Sequence, residues 1–189
     1  MKKPALLIID MQNDFVRHGA PLKVEEADRI TGNIRSVLAL FREEHLPIFH
    51  IIRVHRRDGS DVELFRHDLF RRLPFAVEGT KGAEIISELE PYEGEFIIRK
   101  TRMSAFMHTD LDLVLRTMGA DTLFVTGIQT PNCIRTTVFD ACALNYQVYL
   151  IEDAVTAKNQ EIHRSNCLDM ASIGVGMIRS SEVRRILIS

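Results

Sequence analysis

Charge of one sign is the first thing this sequence lacks. Lys and Arg number 24 against 26 Asp and Glu, a net charge of -2. That balance offers no general footprint for a phosphate backbone or an anionic membrane, so neither nucleic acid nor membrane is an expected partner. Cysteine is scarce and odd in number: Cys133, Cys142 and Cys167 are spaced for neither a disulfide framework nor a zinc finger. Long hydrophobic runs are missing as well. The stretch Ala5 to Ile9, behind Lys2, Lys3 and Pro4, is cut off by Asp10 before it reaches the length of a secretory core. Elsewhere charges recur well before the roughly 18 apolar residues that a bilayer crossing needs. The expected location is therefore the cytosol. No G-x-G-x-x-G and no P-loop pattern follows any apolar run, which argues against a nucleotide-binding protein. Seven histidines show no metal-like spacing, so neither a metal nor a cofactor is expected.

What is present is an alternation. At 189 residues, with 46% hydrophobic and 26% charged residues, the chain is sized for one compact domain over 1–189. Ala5 to Ile9, Ile48 to Val54, Phe96 to Ile98, Leu123 to Thr126, Val148 to Ile151 and Val175 to Ile178 are short, continuous and mostly β-branched, as buried parallel strands read. Between them apolar residues recur at helical spacing: Ile30, Ile34, Val37, Leu38 and Phe41; then Leu111, Val114, Leu115 and Met118, stopped by Gly119; then a helix from near Pro131 carrying Ile134, Val138 and Ala141. A further helix is predicted from about Asn159 to Ser172, and a short one after Ser180. The pattern predicts an α/β fold, a three-layer α/β/α sandwich around a six-stranded, mostly parallel, Rossmann-like sheet. The segment from His55 to Gly82 breaks the rhythm and reads as a long loop over one sheet edge.

In such sheets ligands bind beyond the carboxyl ends of the strands. Asp10 and Lys100 stand where two apolar runs end, and Cys133 follows soon after a third. A thiol between a carboxylate and an ammonium suits nucleophilic catalysis, because the cation favours thiolate and the carboxylate can accept and return the proton. Pro131 suits a first helical turn, which would put Cys133 at a helix N-terminus, where free N–H groups can hold an oxyanion. Taken singly, Asp10 is equally a turn cap, Lys100 a solvated strand end and Cys133 a small buried hydrophobe.

Taken together, Leu7-Ile8-Ile9-Asp10-Met11-Gln12-Asn13-Asp14-Phe15, Lys100-Thr101-Arg102-Met103-Ser104-Ala105-Phe106, Val125-Thr126-Gly127-Ile128-Gln129-Thr130-Pro131-Asn132-Cys133, Asp140-Ala141 and Asp153-Ala154 resemble the isochorismatase-like cysteine hydrolases over nearly the whole chain and in the right order. That family includes nicotinamidases, N-carbamoylsarcosine amidohydrolases and ureidoacrylate or biuret hydrolases. The resemblance implies a catalytic triad of Asp10, Lys100 and Cys133. It also implies a cis peptide between Ile128 and Gln129 beside an oxyanion hole, and a homo-oligomer, dimer or tetramer. Isochorismatase proper lacks the nucleophilic cysteine, so Cys133 points to acyl transfer on a carbon–nitrogen bond of a small amide, ureido or carbamoyl substrate. Nicotinamidases carry Asp-x-His after the second strand as metal ligands; here the place reads Arg53-Val54-His55. No metal is expected on that ground either, and His55 is expected to be a pocket wall or loop anchor.

Phe15, Arg102, Phe106 and Gln129 flank the triad in sequence and are the expected substrate-binding residues. Arg53, Arg56, Arg57 and Arg102 are candidates to favour a carboxylate or ureido oxygen. Cys142 and Cys167 are expected to be packing residues, and Asp153 to belong to a structural turn. A catalytically silent relative, kept as an assembly or binding module, is the alternative to the hydrolase.

Overall fold

The computed structural model describes residues 3–188; Met1, Lys2 and Ser189 lie outside the described residues. Six strands, β1 (Pro4–Ile9), β2 (Ile48–Arg53), β3 (Phe96–Lys100), β4 (Thr122–Ile128), β5 (Gln147–Thr156) and β6 (Gly176–Ile178), form one sheet in the order β3-β2-β1-β4-β5-β6. Every strand pair in it is parallel. β1, β2 and β4 are buried almost throughout, which is why they read as continuous apolar runs rather than alternating ones.

Successive side chains leave a strand on opposite faces, and each face buries its own core. Leu6 and Ile8 belong to one core with Phe15 and Val16 of α1 (Asn13–Val16) and the apolar stripe of α2 (Ala27–Glu43), whose Ile30, Ile34, Val37, Leu38 and Phe41 are buried. Val183 of α7 (Val183–Leu187) closes the same side. Ala5, Leu7 and Ile9 face the other core, shared with α4 (Leu111–Thr117), α5 (Arg135–Ala143) and α6 (Gln160–Ser172). The three layers are therefore those expected from the sequence. Asn159 caps α6 through its side-chain oxygen, which accepts from the N–H groups of Glu161 and Ile162.

The sheet is parallel throughout, in line with the mostly parallel sheet expected. Two features depart from the expectation. The segment from His55 to Gly82 is not one loop: it contains a 3₁₀ turn, Leu64–Arg66, running into α3 (His67–Arg72), and a second 3₁₀ turn starting at Lys81. Leu64 and Phe65 point outward, so no helical apolar stripe marks this stretch in the sequence. Finally, Asp153 stands inside β5 rather than in a turn after it. The pairing of β4 with β5 jumps from Val125↔Leu150 to Gly127↔Val155, so β5 bulges between those points. The bulge is structural: Asp153 accepts hydrogen bonds from the Ser180 N–H and hydroxyl, each at 2.8 Å, and its carbonyl accepts one from Asn33 of α2.

The strand order reverses between β1 and β4, which run side by side from Pro4↔Thr122 to Ile9↔Gly127. That crevice is where open α/β sheets bind ligands. Gly127 is required there. Its φ is +108°, and a Cβ on it would lie 2.1 Å from the Ile9 carbonyl oxygen.

Candidate active site

The carboxyl ends of β3, β2, β1 and β4 set four groups in a row. Lys100 is the last residue of β3 and pairs in register with Arg53, the last of β2. Asp10 follows β1 in a left-handed turn (φ +55°), a conformation that aspartate tolerates better than most residues. Its N–H donates to the Ile51 carbonyl at 2.9 Å, so the turn is fixed to β2. At the end of β4, Ile128 is joined to Gln129 by a cis peptide bond, as the resemblance implies, and a π-helical turn, Thr130–Ile134, carries Cys133 into α5.

Lys100 is fully buried, and its Nζ donates to Asp10 Oδ2 at 2.8 Å and to the Arg102 carbonyl at 3.3 Å. The other oxygen, Asp10 Oδ1, is buried with no hydrogen-bond partner among the described residues. Asp10 and Cys133 line one cavity of about 150 Å³. Phe15, Leu22, Val24, Leu69 and Ile128 give it apolar walls, and Gln129, Asn132, Arg53, Arg66 and Lys158 supply its remaining polar groups. The expected pocket residues thus divide. Phe15 and Gln129 stand on the wall; Arg102 and Phe106 are not among the described residues that line it. Arg102 donates to the Asp61 and Thr101 carbonyls, and Phe106 stacks on Tyr146 with ring centroids 5.9 Å apart. Of the four arginines considered for an anionic group, Arg53 alone lines the cavity.

Arg53 is a buried member of the site. It is 1% exposed, yet its Nη1 donates to Glu63 Oε1 at 2.8 Å and to the Thr101 carbonyl at 3.1 Å, while Nη2 lies 3.6 Å from Cys133 Sγ. Burial works against its charge, but the thiol and the carboxylates of Asp10 and Glu63 outweigh that, so its pKa is raised and it stays cationic. Gln12, fully buried, fixes the backbone of Arg53 from both sides: its amide nitrogen donates to the Arg53 and Ala83 carbonyls and its oxygen accepts from the Arg53 N–H.

His55 is a loop anchor. Its ring sits edge-on to Phe70 and Phe75, its backbone N–H donates to the Ala76 carbonyl at 2.8 Å, and ring Nδ1 lies 3.3 Å from Asp61. Burial first, and the Arg53 guanidinium second, push its pKa down to about 4. Behind the π-helical turn, Thr130 shares a 2.8 Å hydrogen bond with His163 Nδ1 from α6.

The Isochorismatase domain family model matches residues 4–182. The chain belongs to the isochorismatase family. An isochorismatase family protein from Desulfovibrio vulgaris subsp. vulgaris str. Hildenborough superposes with a TM-score of 0.96 at 45% identity over 100% of both chains. A probable inactive nicotinamidase from Arabidopsis thaliana is 44% identical over 92% of this chain and 91% of its own length. N-carbamoylsarcosine amidase from Arthrobacter sp is 28% identical over 89% of this chain and 65% of its own length.

Within this isochorismatase-family chain, the metal ligands of nicotinamidases are not matched. Where their aspartate would stand, Arg53 places a guanidinium 3.4 Å from His55 Nε2, and a fixed cation beside the one candidate ligand repels a divalent ion. No group of three or more His, Cys, Asp or Glu able to hold a metal occurs among the described residues. Sequence reasoning overlooked Glu63, Arg66, Asn132 and Lys158. Arg53, already among the candidate arginines, carries a further signal, since it ends β2 as Lys100 ends β3.

Proposed function

We propose that this protein is a cofactor-free cysteine amidohydrolase that cleaves a carbon–nitrogen bond of a small amide, ureido or carbamoyl compound through a thioester. The observation that carries the reading is the state of Asp10. One oxygen is taken by Lys100, and the other is buried, unpartnered and on the same cavity as the Cys133 thiol. A buried acceptor without a donor costs free energy, and a chemical role is one reason for a fold to retain it.

In this reading Asp10 takes the thiol proton and Cys133 sulfur attacks the carbonyl carbon. The N–H groups near Gln129 and Cys133 hold the oxyanion. Lys100 fixes the orientation of Asp10, and Arg53, 3.6 Å from the sulfur, balances negative charge on it. The carbon–nitrogen bond breaks as Asp10 returns the proton to nitrogen, and ammonia or an amine leaves. Water, deprotonated by Asp10, then attacks the thioester carbonyl; the carbon–sulfur bond breaks, the thiol regains its proton, and a carboxylic acid is released.

A second reading, a catalytically silent protein acting as an assembly or binding module, draws support from the name of the Arabidopsis relative. Trapping separates the two. The protein is mixed with a panel of amides, ureas and imides and quenched in acid, and its peptides are weighed. The expected result is an acyl adduct on the Cys133 peptide with matching release of ammonia, absent in Cys133→Ser. Neither adduct nor ammonia with any member would favour the silent protein.

A further inference from the structure

Arg53 and Glu63, both buried, meet end-on. A guanidinium facing a carboxylate commonly makes two parallel N–H···O bonds. Here only Nη1 donates to Glu63 Oε1, at 2.8 Å, and the other oxygen, Oε2, is buried with no hydrogen-bond partner among the described residues. Nη1 also donates to the Thr101 carbonyl at 3.1 Å. Nη2 is left outside the pair, and it donates to Cys133 Sγ at 3.6 Å. A side-on pair through both Nη atoms would satisfy Oε2 but would draw Nη2 off the sulfur. The fold forgoes that bond, at a cost in free energy.

Both ends of the pair are braced. On one side Gln12 clamps the Arg53 backbone. On the other, the Arg102 guanidinium donates to the Asp61 carbonyl at 2.7 Å, the His67 ring shares a 2.9 Å hydrogen bond with the Val62 carbonyl, and the Glu63 carbonyl accepts from the Arg66 N–H at 2.8 Å. Arg102, expected to bind substrate, thus supports the segment that carries Glu63. The bracing has a reason, because a released Arg53 has a second anion to choose. The Asp10 carboxylate is close enough to favour the Arg53 charge, and its Oδ1 is open. A guanidinium that turned to that oxygen would occupy the base and desert the thiol.

We propose that Glu63 is a positioning residue for Cys133: it grips Arg53 by Nη1 alone, and so keeps Nη2 on the sulfur and the guanidinium off Asp10. This deepens the amidohydrolase reading and rests on it for the role of the sulfur as nucleophile. The segment from His55 to Gly82 then does more than wall the cavity, since it delivers the group that aims Arg53.

The test follows the rate at which iodoacetamide labels Cys133 against pH, by peptide mapping. Nearby cations favour the thiolate that reacts, whereas the negative charge of Glu63 itself opposes it. Glu63→Ala is expected to slow labelling at pH 7 by about tenfold and to move the pH inflection up by about one unit. If Glu63 were merely a nearby charge, its removal would speed labelling; if it were merely structural, labelling of the folded variant would not change. Either result overturns the proposal. Glu63→Gln keeps an acceptor at the same reach and should restore most of the lost rate; a variant as slow as Glu63→Ala also overturns it. The other charged groups around the site, Asp10, Lys100, His55, Asp61, Arg66 and Lys158, are the same in every variant.

Should Glu63→Ala not fold, Arg53→Met with Glu63→Leu removes the pair together, a replacement that buried ion pairs often tolerate. Its labelling should be slowed about as much, and a parental rate would overturn the proposal. On an amide that the parent hydrolyses, Glu63→Ala should lower kcat and leave KM nearly unchanged. Slow labelling of Glu63→Ala, in a protein that hydrolyses nothing, would sink the amidohydrolase and keep the role of Glu63. Hydrolysis by the parent, with Glu63→Ala labelled at the parental rate, would do the reverse.

Discussion

Arg53 and Lys100 put two cations almost wholly out of bulk solvent, and each is tolerated because a carboxylate sits 2.8 Å from it. A buried pair of this kind contributes little net stability, but breaking it by removing one partner is costly because the other is left charged and dry. Lys100→Met is therefore expected to lower stability by about 3 to 5 kcal/mol while abolishing hydrolysis. Asp10→Asn in the same chain should recover most of that stability and none of the activity. Urea unfolding of both variants checks this, and a single variant as stable as the parent would contradict the buried pair. The cysteines differ for related reasons. Burial raises the pKa of the Cys142 thiol, and burial with the nearby Glu152 pushes Cys167 up to about 11. Cys133 instead faces a cavity and a guanidinium. Limiting iodoacetamide at neutral pH should accordingly label Cys133 first, with activity lost in proportion; earlier labelling of Cys142 or Cys167 in the folded protein would refute it.

Elements position these residues through a few close approaches. Gly127 lets β4 lie against Ile9 beside Asp10, and no other residue has both the room and the φ. Gly127→Ala should cost about 2 kcal/mol or more, a fall in Tm of roughly 4 to 8 °C for a chain of this size, with a larger proportional loss of turnover because the tips of β1 and β4 must part. Differential scanning calorimetry measures the first and steady-state kinetics the second; an unchanged Tm would show that the approach is looser than 2.1 Å implies. Much of this layer is legible in the sequence. Buried parallel strands betray themselves as apolar runs, and α2 by the spacing of Ile30, Ile34, Val37, Leu38 and Phe41. The ends of β5 were not legible, because the bulge carries Glu152 and Asp153 inside a strand whose ladder resumes only at Val155. Nor was α3, whose neighbours Leu64 and Phe65 are exposed and break any periodic stripe. Strand ends point to Asp10, Lys100 and Arg53 by a simple rule. Arg66 and Lys158 reach the cavity through the path of irregular segments, for which no periodicity exists.

At the scale of the molecule, buried and half-buried histidines tie stability to pH. Burial, with Arg53 next, holds His55 near 4, and burial likewise lowers His50 and His163. An unfolded histidine titrates near 6.5, so as pH falls from 6.5 toward 4 the unfolded chain takes up protons that the folded one refuses, and stability falls. The carboxylates of Glu63 and Glu95, whose pKa values are lowered, act in the same direction at lower pH still. His55 alone should remove about 2 kcal/mol between pH 7 and pH 5. Urea midpoints at the two values test this; a flat profile would mean that His55 is protonated in the fold despite the Arg53, Asp61, Glu63, Phe70 and Phe75 side chains around it.

The strand order has a consequence for how the chain is made. β1 leaves the ribosome well before its neighbour β4, which begins only at Thr122. At about 5 to 20 residues per second, synthesis keeps one flank of β1 unpaired for roughly 6 to 24 seconds. During that time Ala5, Leu6, Leu7, Ile8 and Ile9 present an apolar edge that later becomes the middle of the sheet. Asp10, at the tip of that edge, meets the turn that carries Cys133 only after the three strands β2, β3 and β4 have been made.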